Sequence, residues 1–481
     1  MNHASRTLVI GTLAATTVLA TPLGAQRDSL SAAVRAYVRS DAPLVALTHV
    51  RVIDGTGAPA RPDQTVVIRD GTIAAIGDDG TVPIPAGAVT MDLAGKTVTP
   101  GFVMVHEHLY YPTGPGVYAY LAESFTRLYL AGGVTSMRTG GNMNGYGEIA
   151  IASAIAQGRK PGPWIDATAP YLEGAGLGLG QVHELVNAAD ATSTVNFWAD
   201  EGATSFKAYM HIARAELGAA VQAAHARGRK ITGHLCSITY REAAALGIDN
   251  IEHGFFAATD FVADKKPDEC PGQGKGQASI AALDVNSDAV QSLMAELIRR
   301  NVTLTSTLTV FETFTPGRPA PPGAVVLEPQ LQDQLSRSLA SVVRSPQSLY
   351  ATLLPKVMAL ELAFARAGRL LVAGTDPTGF GGVIPGYSNQ RAIELLVEAG
   401  FSPVEAIKIA TLNRATYLGR AARVGSLVAG KQADLVIFSG DPSSTISDIR
   451  TVELVVKQGV FYDPAKLINS GALLCMRYAI S

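Results

Sequence analysis

Gly101-Phe102-Val103-Met104-Val105-His106-Glu107-His108 is an apolar run that ends in two histidines two residues apart. Side chains alternate faces along a strand, so this spacing puts both imidazoles on one side, where they can grip one ion. Four more polar residues close apolar runs downstream: Lys207 after Ala203-Thr204-Ser205-Phe206, His234 after Lys230-Ile231-Thr232-Gly233, His253 after Asn250-Ile251-Glu252, and Asp376 after 370–375. Imidazole and carboxylate together suit zinc and similar borderline metals. Lys207 needs its own reason, because an ammonium is repelled by two dications and a neutral amine makes a single bond. Reaction with carbon dioxide would turn it into a carbamate, an anion whose two oxygens can bridge metals.

Such residues do chemistry only if the chain brings them to one place. From about 97 to 420 the sequence alternates short apolar runs with Ala/Leu/Glu/Arg-rich helical stretches, the pattern of βα units around a parallel sheet. Candidate strands end near His108, Arg138, Ala169, Lys207, His234, His253, Ser306 and Asp376. Eight such units predict an α/β fold, a (β/α)8 TIM barrel, and barrel enzymes carry their catalytic groups at the strands' C-terminal ends. Long intervals after the sixth and seventh strands predict insertions at 257–284, rich in Asp, Lys, Pro and Gly, and at 311–346, rich in Pro and Ser. Both are expected to be lids or substrate-selecting elements. Residues 43–96 and 424–463 read as short strands punctuated by turns such as Lys457-Gln458-Gly459, and are expected to form a small β-sandwich domain from both ends of the chain.

The 481 residues are 47% hydrophobic and 17% charged, which is ample for a large core and far from a disordered composition. With 39 Lys and Arg against 41 Asp and Glu, the net charge of -2 gives no electrostatic reason to expect nucleic acid or an anionic membrane as partner. A small-molecule substrate fits better, and a homo-oligomer is expected. Residues 1–25 have the layout of a signal peptide, with Arg6, an apolar run from Leu8 to Ala20 and small residues before a cut after Ala25. The protein is therefore expected to be periplasmic or secreted, without a membrane span once cleaved. Of three cysteines, Cys236 sits in an apolar run and is expected to be a buried free thiol, while Cys270 and Cys475 lie in polar surroundings where export would permit a bond between them.

Taken together, the motifs resemble those of the amidohydrolase superfamily, in its imidazolonepropionase-like and prolidase-like branch, which includes ochratoxinase-like enzymes. They are Pro100-Gly101-Phe102 leading to His106 and His108, Gly133-Val134-Thr135-Ser136, Lys207 before Tyr209, Gly233-His234, Ile251-Glu252-His253-Gly254, Gly374-Thr375-Asp376, and the closing run from Gly425 to Val436. The resemblance implies that His106, His108 and Asp376 hold one metal and His234 and His253 the other. It makes Lys207 the N6-carboxylysine bridge between two divalent ions, with Zn2+ expected. Two departures, Asn413-Arg414-Ala415 and Met104-Val105, touch no ligand position.

Two metals lower the pKa of a bridging water so that hydroxide exists near neutral pH. Asp376 is then the expected proton shuttle to the leaving amine, and Tyr209, two residues past Lys207, a partner for an oxyanion or a substrate carboxylate. His183 and His211 follow the third and fourth strands and are candidates for the pocket wall, whereas His225, in an Ala-rich helical stretch, is expected outside. The resemblance favours cleavage of an N-acyl amino acid or a dipeptide. The same chemistry would also open a cyclic amide, lactone or organophosphate. A non-catalytic scaffold is disfavoured by the retention of all six metal-site residues.

Overall fold

The computed structural model describes residues 27, 29–114, 117–177, 181–345 and 347–469. The signal-peptide stretch 1–25 and Cys475 lie outside them. Eight short parallel strands form its centre: β1 (Phe102–Glu107), β2 (Val134–Thr139), β3 (Trp164–Asp166), β4 (Ser205–Ala208), β5 (Lys230–Gly233), β6 (Asn250–Glu252), β7 (Thr303–Ser306) and β8 (Leu371–Ala373). They pair in two arcs, β3-β2-β1 and β4 through β8. One seam between the arcs is a parallel bridge between Thr168 and Ser205. At the other, the backbone N–H groups of Thr375 and Asp376 both donate to the His106 carbonyl at 3.1 Å. The result is a TIM-barrel-like α/β fold. Its strands are buried on both faces, which is why they read as unbroken apolar runs such as 102–105 instead of alternating ones.

The two ends of the chain share one hydrogen-bonded set of nine mixed strands. Its order is Val38–Ser40, Val460–Tyr462, Val452–Lys457, Leu435–Phe438, Thr97–Pro100, Leu44–Val52, Arg61–Arg69, Thr72–Asp78. Leu44–Val52 pairs with Val89–Asp92 along its first half and with Thr97–Pro100 at its end. The sheet therefore branches at this strand. Its inner face, including Val45, Leu47, Val66, Ile68 and Ile437, builds a second, smaller core. The hairpin turns are Asp70-Gly71 and Gln458-Gly459, with all four residues at positive φ, as two-residue turns that match strand twist require.

Both predicted insertions carry helices of their own, Gln273–Ala281 in the first and Pro329–Val343 in the second. The cysteine expectation is corrected: Cys236 is not a free thiol but is bonded to Cys270, with their Cα atoms 4.8 Å apart. Cys236 lies just past β5, two residues beyond His234, and the first insertion folds back over that strand end to bring Cys270 to it. Sequence distance gave no hint of this return. A Cys236→Ser/Cys270→Ser variant is expected to lose up to about 3–4 kcal/mol of stability, because the bond closes a loop of 34 residues. Chemical denaturation with and without reductant checks this, and an unchanged midpoint would mean the loop is held by packing alone.

Candidate metal centre

The C-terminal ends of five strands bring all six predicted ligands to one cavity of about 330 Å³. β1 supplies His106 and, one step past its end, His108, and the expected shared face is observed. Ligand atoms of His106, His108 and Asp376 lie within 4.8 Å of one another. His108 Nε2 is 3.1 Å and His106 Nε2 3.5 Å from Asp376 Oδ1. His253, just past β6, stands with its ring centroid 4.7 Å from that of His106 and 4.3 Å from that of His234. Lys207 in β4 is buried and faces the same cavity.

Whether these residues fit a metal is decided by where their other nitrogens go. His106 Nδ1 meets Glu252 Oε2 at 2.7 Å, His108 Nδ1 the Gly141 carbonyl at 3.0 Å, and His253 Nδ1 the Thr307 hydroxyl at 2.8 Å. The Glu252 carboxylate and the Gly141 carbonyl can only accept, so they put a proton on Nδ1 of His106 and His108 and turn Nε2 towards Asp376 and the cavity, which is how ligating histidines are held ready for an ion, while the Thr307 hydroxyl anchors the His253 ring. The donor set therefore fits. Backbone conformation is bent to the same end: His253 (φ 66°) and Asp376 (φ 59°) are both left-handed. That conformation costs of order 1–3 kcal/mol for an ordinary residue, less for Asp, and it is found where strain serves a site. Two glycines make room. A Cβ on Gly140 would come within 2.5 Å of the His106 ring, and one on Gly374 within 2.4 Å of the His106 side chain.

Burial governs the electrostatics. It pushes His108 down to about 4 and His234 to about 3, so both are neutral imidazoles, the form that can bind a metal. Burial likewise pulls Lys207 down to about 8, with Glu252 and Asp376 opposing. Burial would raise Asp376, but His106, His108 and His253 outweigh it and hold the carboxyl well below its ordinary value.

Several supporting residues have no ligand role and escaped sequence reasoning. Arg138, at the end of β2, pairs with Glu252, and it also donates to the Val105 carbonyl at 2.9 Å and to Thr232 at 3.1 Å. Burial alone would raise Glu252, yet Arg138, His106 and Lys207 keep it well below its ordinary value. Glu107 accepts from Asn389 at 3.0 Å and from Thr375, the residue before Asp376. The signal was in plain sight, since Glu107 and Glu252 are each adjacent to a ligand histidine. Glu252→Gln should keep the fold while weakening metal affinity roughly 10–100-fold. Metal titration of the apoprotein checks this, and unchanged affinity would reduce Glu252 to a partner for Arg138.

Tyr209 lines the cavity, its ring 5.3 Å from His234 and 4.4 Å from Tyr171. Burial and Asp376 push its hydroxyl pKa up, so the phenol stays protonated. His183 and His211 are not in the cavity wall: His183 pairs with Asp190 at 2.9 Å, and His211 lies 3.8 Å from Glu173. His225 pairs with Asp249 on the outside, as expected. The two departures from the family pattern meet each other, the Arg414 guanidinium donating to the Val103 carbonyl at 2.9 Å and touching the Met104 sulfur.

Comparison with known proteins supplies the context. Residues 97–461 match the model of the amidohydrolase family. An imidazolonepropionase of Geobacillus kaustophilus is 41% identical over 80 residues, 16% of this chain and 19% of that protein. The chain aligns with 24% of the length of a Ruegeria adenine deaminase, so matches to curated relatives are partial. Solved structures agree over much more: a Xaa-Pro dipeptidase with bound methionine superposes with a TM-score of 0.67 at 20% identity, covering 87% of this chain and 100% of that one. Bottromycin amidohydrolase gives 0.69 at 21% identity, covering 93% and 96%. At such identities the structures speak for the fold alone, but the family match spans the strands, both insertions and every residue of the cavity floor, and on it the chain belongs to the amidohydrolase family.

Proposed function

We propose that this chain is a binuclear metal-dependent hydrolase that cleaves an amide C–N bond. The observation that carries the reading is the convergence of His106, His108, Lys207, His234, His253 and Asp376 on one cavity, with the outward nitrogens of three histidines already occupied. His106, His108 and Asp376 would hold one ion, His234 and His253 the second, and Lys207, as N6-carboxylysine, both. Zn2+ suits this donor set. When bound, the ions would supply Lewis acidity, making water nucleophilic near neutral pH and polarising a carbonyl.

The chain's own residues do the rest. Asp376 is ionised and within reach of the two β1 histidines, so it can accept a proton and pass it to a leaving amine that would otherwise depart as a strong base. Tyr209, held neutral, can donate to the oxygen on which charge develops. The enclosing aromatic side chains exclude water and so strengthen both interactions. The Cys236–Cys270 bond supports export to an oxidising compartment, periplasmic or extracellular.

Metal analysis of the purified protein, followed by chelation and reconstitution, tests the reading. About two ions per chain are expected, with amide hydrolysis lost on chelation and regained with Zn2+. A protein without tightly bound metal, indifferent to chelators, would instead be a scaffold.

A further inference from the structure

We infer that the cavity selects an uncharged amide bearing an aromatic ring, and discriminates against a substrate that ends in a free carboxylate. This rests on the amide-hydrolase reading for the position of the reacting bond, and it departs from the N-acyl amino acid or dipeptide that the resemblance favours.

Two observations carry it. The first is the charge of the walls. Among the described residues, Lys207 is the only lysine or arginine that lines the cavity, and it is committed to the floor. A bidentate carboxylate clamp is normally an arginine, and none is present. Five tyrosines offer hydroxyls, but those of Tyr110 and Tyr171 bond each other at 2.5 Å and that of Tyr350 accepts from Gln277 at 3.5 Å, which leaves Tyr118 and Tyr209. A neutral hydroxyl cannot offset the loss of hydration of a buried carboxylate.

The second observation is the aromatic wall. Phe256 follows β6, and Phe311 follows β7 at the start of the second insertion. Their rings stack with centroids 3.4 Å apart and planes 13° from parallel. Tyr350 lies 5.7 Å from Phe256, and Phe314 lies 5.2 Å from Tyr350. Phe311 is also 5.9 Å from His253, so this pile of rings begins directly beside a ligand. A substrate ring placed against it gains apolar burial and offset stacking together, while its carbonyl still reaches the floor. The remaining polar lining on this side, Gln277 and Thr378, is uncharged. Neither the tyrosine hydroxyls nor the stacked rings bring a counter-charge to the walls.

The test is calorimetric titration of the metal-loaded protein with N-acetylphenylalaninamide, N-acetylphenylalanine and N-acetylalaninamide, reading the sustained heat of turnover separately from the heat of binding. The neutral aromatic amide is expected to bind about tenfold or more tighter than either of the others. Phe311→Ala, and the volume-conserving Phe311→Leu should Ala fail to fold, is expected to bring the phenylalaninamide and alaninamide affinities close together with metal content unchanged. Equal or tighter binding of N-acetylphenylalanine would overturn the inference, as would an aromatic preference that survives both Phe311 variants. If the binding pattern appears but no sustained heat and no acetate release follow, the amide-hydrolase reading fails and the selectivity of the cavity stands.

Discussion

Asp376→Asn is expected to lower kcat by about a hundredfold or more while leaving the fold and much of the metal in place. The substitution suits the site in every respect but one. Asn tolerates the left-handed backbone observed at this position (φ 59°) as well as Asp does. Its amide oxygen can still approach His106 and His108 where Oδ1 now lies, at 3.5 Å and 3.1 Å. What it cannot do is take up a proton. The leaving amine would then have to depart unprotonated, and the barrier rises accordingly. Steady-state kinetics with parallel metal analysis gives the answer. Turnover near the normal rate with metal bound would transfer the proton shuttle to another group.

Lys207→Ala should show the second large effect, a joint fall in metal content and activity. Lys207 is 1% exposed and lines the cavity with His106, His234 and His253, the proposed ligands of its floor. Its pKa, drawn down to about 8 by burial, leaves a fraction of neutral amine near physiological pH, which is the species that reacts with carbon dioxide. Glycine at 141 keeps the space clear, since a Cβ there would lie 3.2 Å from the Lys207 side chain and 2.4 Å from the Tyr171 ring. Removing the proposed bridge should weaken metal binding by at least the roughly 10–100-fold that loss of an outer partner costs. An added short-chain carboxylic acid, filling the gap with a free carboxylate, should restore part of both metal and activity. Depleting bicarbonate during reconstitution should slow the recovery of the wild type. Full metal content and full activity in Lys207→Ala would remove the lysine from the centre altogether.

The convergence of the six candidate ligands was legible because its signal is local and periodic. Two histidines at a spacing of two on an apolar run must share a face whatever surrounds them. Polar residues that end apolar runs lie at strand ends, and a parallel barrel collects all such ends on one side. The turns at Asp70-Gly71 and Gln458-Gly459 are equally local, since positive φ at two successive residues restricts which residues occur there.

What the tertiary structure alone decided are the meetings across long stretches of chain. Glu252 reaches His106 over 146 residues, Arg138 reaches Glu252 over 114, and Asn389 reaches Glu107 over 282. No periodicity spans such distances, because each pairing depends on how neighbouring strands stagger around the barrel and on which way each loop turns back. The same holds for Cys236 and Cys270, expected apart and found bonded, and for the branching of the terminal strands, since a single long strand can take different partners along its length. It holds also for the stack of Phe256 on Phe311. Those rings are 55 positions apart in the sequence and belong to different loops, and they become one wall only because β6 and β7 lie side by side. Sequence alone therefore determined which residues could bind metal and on which face of the fold they would stand. Tertiary packing determined what holds them in register and the shape and charge of the space above them, because those properties arise from contacts between segments that carry no mark of one another.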